Sequence, residues 1–192
     1  MKTRMLIATA ALGASAAPAF AHLDPVEHGS LAAGLSHPFF GADHVLAMVA
    51  VGLWAAQIGG RALWTVPAAF VGMMTVGFGL ALAAVPLPFA EPAILASVVA
   101  LGLIVAIAVR LDVAPAAAIV GIFALIHGHA HGSELGQAGA WSFALGFIAA
   151  TALLHAAGLG LGIALARLSS NGTLARLLGG VTALAGAAMI FG

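Results

Sequence analysis

The sequence predicts an all-α integral membrane bundle of six transmembrane helices that follows a cleaved signal peptide. Three observations carry that prediction. Hydrophobic residues make up 63% of the 192 residues and charged residues only 6%, whereas a soluble domain carries roughly 25% charge to solvate its surface. The mean hydropathy is +1.17. The apolar residues also fall into separate runs of about the length a helix needs to cross a bilayer, roughly 20 residues for a core of about 30 Å.

The first 21 residues stand apart. Lys2 and Arg4 make a basic start, residues 5–14 form a short apolar run, and Ala19-Phe20-Ala21 is an A-x-A cleavage site. Together these form a secretory signal. The alternative, an uncleaved first span, is disfavoured by the shortness of the run and its break at Pro18. Residues 1–21 are therefore assigned to the signal peptide and 22–192 to the six-span membrane domain, with His22 as the first residue on the outer side.

The spans are predicted over 38–58, 64–84, 92–109, 114–131, 141–165 and 173–191. Pro38, Pro92 and Pro115 fall near predicted helix starts, where a missing N–H costs little; Pro67 lies close to the start of its own span. The breaks carry turn chemistry: Gly59-Gly60 before Arg61, Pro86 and Pro88, and Ser169-Ser170-Asn171-Gly172. With the mature N-terminus outside, Arg61, Arg110, Arg167 and Arg176 all fall in loops on the inner side, as the positive-inside rule asks. The cleavage site and the arginines thus agree on one topology, in the inner membrane with a periplasmic N-terminus. Small residues, including Gly158-x-x-x-Gly162 and the glycines from Gly72 to Gly79, are expected to let helices approach closely. The sequence leaves self-association open.

Composition also excludes function classes. Net charge is zero, from six basic and six acidic residues, so no basic face exists to hold nucleic acid. Cysteine is absent, which removes disulfides, thiolate metal sites and a cysteine nucleophile. There is no G-x-x-x-x-G-K-S/T nucleotide loop, no H-E-x-x-H and no G-x-S-x-G. ATP-driven pumping and enzyme activity are accordingly not expected, and neither is a bound cofactor.

The chemistry lies in the polar residues that the spans cannot avoid. Residues 45–58 are too few to cross alone, so the first span must take in Asp43 and His44; residues 114–126 are likewise short, so the fourth must take in His127 and His131. Ionisable groups inside a span are costly and face the bundle interior or a polar path. Both groups fall at the outer ends of their helices. On a continuous first helix His37 and His44 share a face, with Met48 one turn deeper. On a continuous fourth helix His127, His131 and Glu134 form one line while His129 points away, and Gly128 and Gly132 leave room beside the imidazoles. Imidazoles with carboxylates and a thioether suit nickel, cobalt, zinc or copper(II) rather than magnesium or calcium. A carboxylate beside a histidine can instead orient it. The plainer alternatives are a packing role for His155, solvated His22 and His28, and a loop position for His129.

Against this background the segment His37-Pro38-Phe39-Phe40-Gly41-Ala42-Asp43-His44 resembles the signature of the HupE/UreJ family of nickel permeases, and His127-Gly128-His129-Ala130-His131-Gly132-Ser133-Glu134 resembles that family's second motif. The resemblance implies import of nickel, or of cobalt in some members, in support of hydrogenase or urease maturation. It assigns the ion to His37, Asp43 and His44 from the first motif and to His127 and Glu134 from the second, with His129 and His131 less firmly carried over. The expected metal site is therefore His37, Asp43, His44, His127, His131 and Glu134, and the expected cargo a divalent ion passing inward across the lipid bilayer. A membrane haem or electron-transfer protein is the alternative from a different class, since paired intramembrane histidines also ligate iron; Asp43 and Glu134 are poor company for a haem. An intramembrane enzyme ranks last.

The topology can be checked directly. Mass spectrometry of purified protein should show a chain beginning at His22, and a Ser170→Cys variant should resist periplasmic thiol labelling. An intact Met1, or a readily labelled Cys at that position, overturns it.

Overall fold

The computed structural model describes residues 30–135, 139–169 and 171–192, without the side chain of Glu134. The expected signal peptide, His22 and His28 lie outside the described residues. Seven helices are described: α1 Leu31–Phe40, α2 Ala42–Ile58, α3 Ala62–Leu82, α4 Ala90–Ala106, α5 Val113–Leu135, α6 Ala140–Leu168 and α7 Thr173–Phe191. Among the described residues there are no strands, so the chain is all-α. Helices α3, α5, α6 and α7 are long and apolar enough to cross a bilayer, and the pair α1 and α2 makes a fifth candidate. Helix α4 is apolar but 17 residues long, at the lower end of what spans. This is a multi-pass helical membrane protein.

The first predicted span is not one helix. It breaks at Gly41 and bends by 84°. Gly41 has extended backbone, φ −94° and ψ 114°, and a Cβ there would press on the side chains of Asp43 and His44. Pro38 accordingly lies inside α1, near its C-terminal end, rather than at the start of a span. Its missing N–H weakens the last turn of α1, three residues before Gly41. Ser30 starts α1, its hydroxyl accepting from the Ala33 N–H at 3.0 Å.

Helix α2 is the centre of the bundle. Residues 50–55 are buried without a gap, which is the pattern of a helix surrounded on all sides. It is tied to the end of α4, where Trp54 Nε1 donates to the Val109 carbonyl at 2.8 Å and Gln57 Nε2 to the Val105 carbonyl at 3.0 Å. Leu153, Leu161, Val181, Leu184 and other large apolar side chains are exposed along α6 and α7, as a lipid-facing surface requires. Trp64 and Trp141 are exposed near helix starts, positions that suit the aromatic belts of a bilayer.

Glycine sets the helix pairs. A Cβ on Gly77 would overlap the Leu125 carbonyl, one on Gly128 the Met74 carbonyl, and one on Gly132 the Phe78 carbonyl, so α3 and α5 touch backbone to backbone. Gly52 meets the His155 carbonyl and Gly158 the Val49 carbonyl, which joins α2 to α6; Gly162 packs on Ala56 in the same pair. Gly102, Gly179 and Gly186 do the same for α4 and α7, and Gly34 and Gly146 for α1 and α6. Contacts rise together along α3/α5 and along α2/α6, and run oppositely along α4/α7. In these three pairs, helices an even number of places apart are parallel and those an odd number apart antiparallel, as in a chain that reverses at each turn from α2 onward. Gly158 and Gly162 pack as the sequence predicts. Gly72 and Gly79 do not, since both face open space, and Gly77 between them makes the contact.

Glycine substitutions should therefore split by site. Gly77→Ala and Gly128→Ala should destabilise by about 1–3 kcal/mol through overpacking. Gly72→Ala and Gly160→Ala, which meet nothing within 4 Å, should be neutral or gain up to about 1 kcal/mol of helix preference. Thermal unfolding in detergent measures all four, and an equal loss in both pairs would refute the contact map.

Candidate metal site

Three helices bring five of the six predicted side chains, those of His37, Asp43, His44, His127 and His131, to one end of the bundle. The break at Gly41 separates His37 on α1 from Asp43 and His44 at the start of α2, so the two histidines do not share the face of one helix. They approach α5 from different directions instead. Helix α5 runs unbroken through Gly128 and Gly132. Those glycines offer no open space beside the imidazoles, because α3 backbone fills it. With about 100° between successive residues, the glycine face fixes the rest: His127 and His131 turn to one side of it and His129 to the other.

His131 is the centre of the cluster. Its Nδ1 lies 3.1 Å from Nε2 of His37, and its Nε2 meets Nε2 of His44. On the far side of His44, Nδ1 donates to Oδ1 of Asp43 at 2.9 Å. A carboxylate only accepts, so a neutral His44 keeps a lone pair on Nε2. His131 then donates from Nε2 to His44 and accepts at Nδ1 from the Nε2–H of His37. This placement gives each of the three contacts one proton.

His127, one turn along α5, is fully buried. Its Nδ1 donates to the Phe123 carbonyl at 2.9 Å, which leaves Nε2 as a lone pair. That nitrogen has no hydrogen-bond partner among the described residues, and the His127 ring stands 5.5 Å from the His44 ring, edge to face. Both His44 and His127 thus donate one N–H to a fixed oxygen and present the other nitrogen inward, the arrangement that orients metal-binding imidazoles. Met48 is buried one turn beyond His44.

Among the described residues, no three His, Asp or Glu side chains stand ready as ligands of one ion. The geometry gives the reason. Two nitrogens each about 2.0–2.1 Å from a metal lie roughly 3 Å apart, so the 3.1 Å between His37 and His131 is of ligand-pair size. His131, however, uses different nitrogens toward His37 and His44. An ion that takes all three must turn that ring and replace the hydrogen bonds between them.

The other polar residues sort clearly. His129 is helical and not in a loop; its Nε2 donates to the Val85 carbonyl at 2.7 Å, away from the cluster. Glu134 belongs to α5, but its side chain is outside the described residues. His155 is buried in α6, apart from this cluster. Sequence reasoning missed the walls: Phe143 and Phe147 flank His37 at 5.5 and 6.0 Å between ring centres, and Phe147 lies 4.8 Å from His131. Their spacing of four along α6 was a visible signal, but it is also the spacing of ordinary packing residues.

Comparison with known proteins agrees on one group. The family model described as HupE / UreJ protein matches residues 10–189. A curated protein of Rhizobium leguminosarum bv. viciae named Protein HupE is 48% identical over 188 residues, covering 96% of this chain and 97% of its own. No solved structure matches.

The site can be tested by nickel(II) binding to purified protein. Asp43→Ala removes the acceptor that orients His44 and should weaken binding by about 10–100-fold, and His131→Ala should do at least as much. His129→Ala should leave affinity nearly unchanged. A His129→Ala defect equal to that of His131→Ala would refute the continuous α5 face.

Proposed function

The chain belongs to the HupE/UreJ family, and from that membership we propose that it is an inner-membrane permease that imports a divalent transition metal, nickel first and cobalt as the alternative. The observation that carries this is the convergence of His37, Asp43, His44, His127 and His131 from α1, α2 and α5 on one end of an apolar bundle. Neutral imidazoles backed by one carboxylate suit borderline divalent ions. Rings 4.5–4.7 Å apart leave no slab of space between them for a haem, which weakens that alternative.

In this proposal six crossings begin with the bent pair α1 and α2 and include α4. The parallel run of α3 and α5 supports that, since the chain must return between them. With the mature N-terminus in the periplasm, the histidine cluster lies at the outer side and the arginines at the inner side. The ion arrives from the periplasm, exchanges part of its water shell for imidazole nitrogen, and moves inward. The membrane potential is a sufficient source of energy: at about 2.3 kcal/mol per charge per 100 mV, a dication gains about 4.6 kcal/mol, or roughly three decades of accumulation.

Uptake of radioactive nickel, cobalt, zinc and copper into cells expressing the protein tests this. Nickel should accumulate, cobalt should compete, and collapse of the membrane potential should abolish most of the gradient. No accumulation of any of the four at confirmed membrane expression overturns the proposal.

A further inference from the structure

Beyond the outer cluster, the middle of the bundle holds a second buried imidazole. His155 sits near the midpoint of the 29-residue α6 and is 2% exposed. Neither ring nitrogen has a partner in hydrogen-bond geometry among the described residues, and the nearest backbone group to the ring is that of Thr151, one turn back on α6. A buried polar group without a partner is unusual enough to need a cause. The same is true of Nε2 of His127.

The two orphans are neighbours across one side chain. The Phe70 ring centre is 5.7 Å from that of His127 and 4.8 Å from that of His155. His127 is in turn 5.5 Å from His44 of the outer cluster. The rings therefore form a file from the end of the bundle to its middle: His44, His127, Phe70, His155. Beside the inner part of this file, the buried Thr151 hydroxyl donates to Sδ of the buried Met74 at 3.6 Å. Thr151 lies one turn from His155 on α6, and Met74 one turn from Phe70 on α3. An imidazole, a thioether and a hydroxyl thus share one apolar interior.

We propose that His155, together with Thr151 one turn back on α6 and the Met74 thioether that Thr151 meets, is an inner binding position for the divalent metal, reached from the outer cluster past His127. This rests on the import proposal and deepens it by naming a second station. Imidazole nitrogen and thioether sulfur select borderline and soft divalent ions over magnesium and calcium. With few donors and no carboxylate among them, the position holds an ion weakly. That is what a transit site needs, since conduction asks for binding strong enough to enter and weak enough to leave. The backbone around it is held tightly: Gly52 of α2 packs directly on the His155 carbonyl, so the ring is presented from a rigid part of α6. The rival explanation is a buried water that satisfies the imidazole, with no role in transport.

His155→Leu separates the two, because it removes the ring nitrogens and costs no hydrogen bond that the structure shows. Nickel uptake, nickel bound per chain by equilibrium dialysis, and melting temperature in detergent are measured for wild type, His155→Leu, His155→Asn and His44→Ala. The expected result is an unchanged or raised melting temperature for His155→Leu, with uptake at least tenfold slower and about one nickel fewer per chain at saturation. His44→Ala should lose uptake while keeping the inner ion. Uptake and nickel content of His155→Leu within twofold of wild type would overturn the proposal. So would a large drop in melting temperature shared by His155→Leu and His155→Asn, which would assign the ring to packing. If wild type imports nothing, the import proposal fails, while the dialysis comparison still decides the inner position.

Discussion

Contact between the backbones of α3 and α5 decides which histidines enter the bundle. Helix α5 carries three imidazoles within five residues, and helical geometry forbids all three from facing one way. Gly128 and Gly132 press against the carbonyls of Met74 and Phe78, where any side chain would force the helices apart. Once that face is pinned, His127 and His131 must point toward α1 and α2, and His129 must point toward the turn after α3, where it donates to Val85. The glycines contribute no chemistry of their own. They set the rotation of α5, and the site follows from that rotation.

A second constraint acts from the other wall. Were α1 and α2 one straight helix, His37 and His44 would lie on one stripe and meet α5 at two different depths. The bend at Gly41 brings them instead to the two nitrogens of a single ring, that of His131. Gly41 also leaves space for the Asp43–His44 pair to fold back over it. The outcome is a linked set of imidazoles that ends on a carboxylate, in which the orientation of each ring depends on the next. Removing any member therefore disturbs its neighbours, and single-residue effects in this cluster are expected to be non-additive.

Much of this was legible in the sequence, because bilayer physics narrows the options. Runs of apolar residues of span length must be helices, and five of the six predicted segments match a described helix closely. The polar residues that the spans could not avoid were singled out, and the structure brings His37, Asp43, His44, His127 and His131 near one another; the i, i+4 pairing of His127 with His131 on one helix face needs nothing but helical periodicity. What was not legible depends on tertiary contact. Nothing local in HPFFGADH distinguishes a helix that continues through Gly41 from one that turns there, because glycine and proline are both tolerated within spans. The role of Gly128 and Gly132 inverted for the same reason: from one strand of sequence a small residue reads as space, and only a neighbouring helix shows whether that space is filled. Phe143 and Phe147 were passed over because aromatic residues four apart on an apolar helix look alike whether they wall a site or pack a core.

Under the proposed import, the distribution of charge bears on how such an interior would accept a dication. Within the described cluster there is one carboxylate, that of Asp43, and it already accepts from His44. More carboxylates would bind the ion strongly and hold it; none would leave the imidazoles to strip a hydrated dication without compensating charge. Neutral imidazoles extend the reach of that single charge. When His44 binds a cation through Nε2, its Nδ1–H becomes more acidic and the bond to Asp43 strengthens, so part of the ion's charge is passed to the carboxylate. His127 does the same with a carbonyl in place of the carboxylate, which makes it the weaker partner. On the proposed path, binding strength would therefore fall along the file from the carboxylate-backed His44, through the carbonyl-backed His127, to the ring of His155, which has no hydrogen-bond partner among the described residues. A graded series of this kind would hold an imported ion most firmly at the outer cluster and least firmly where it must be given up.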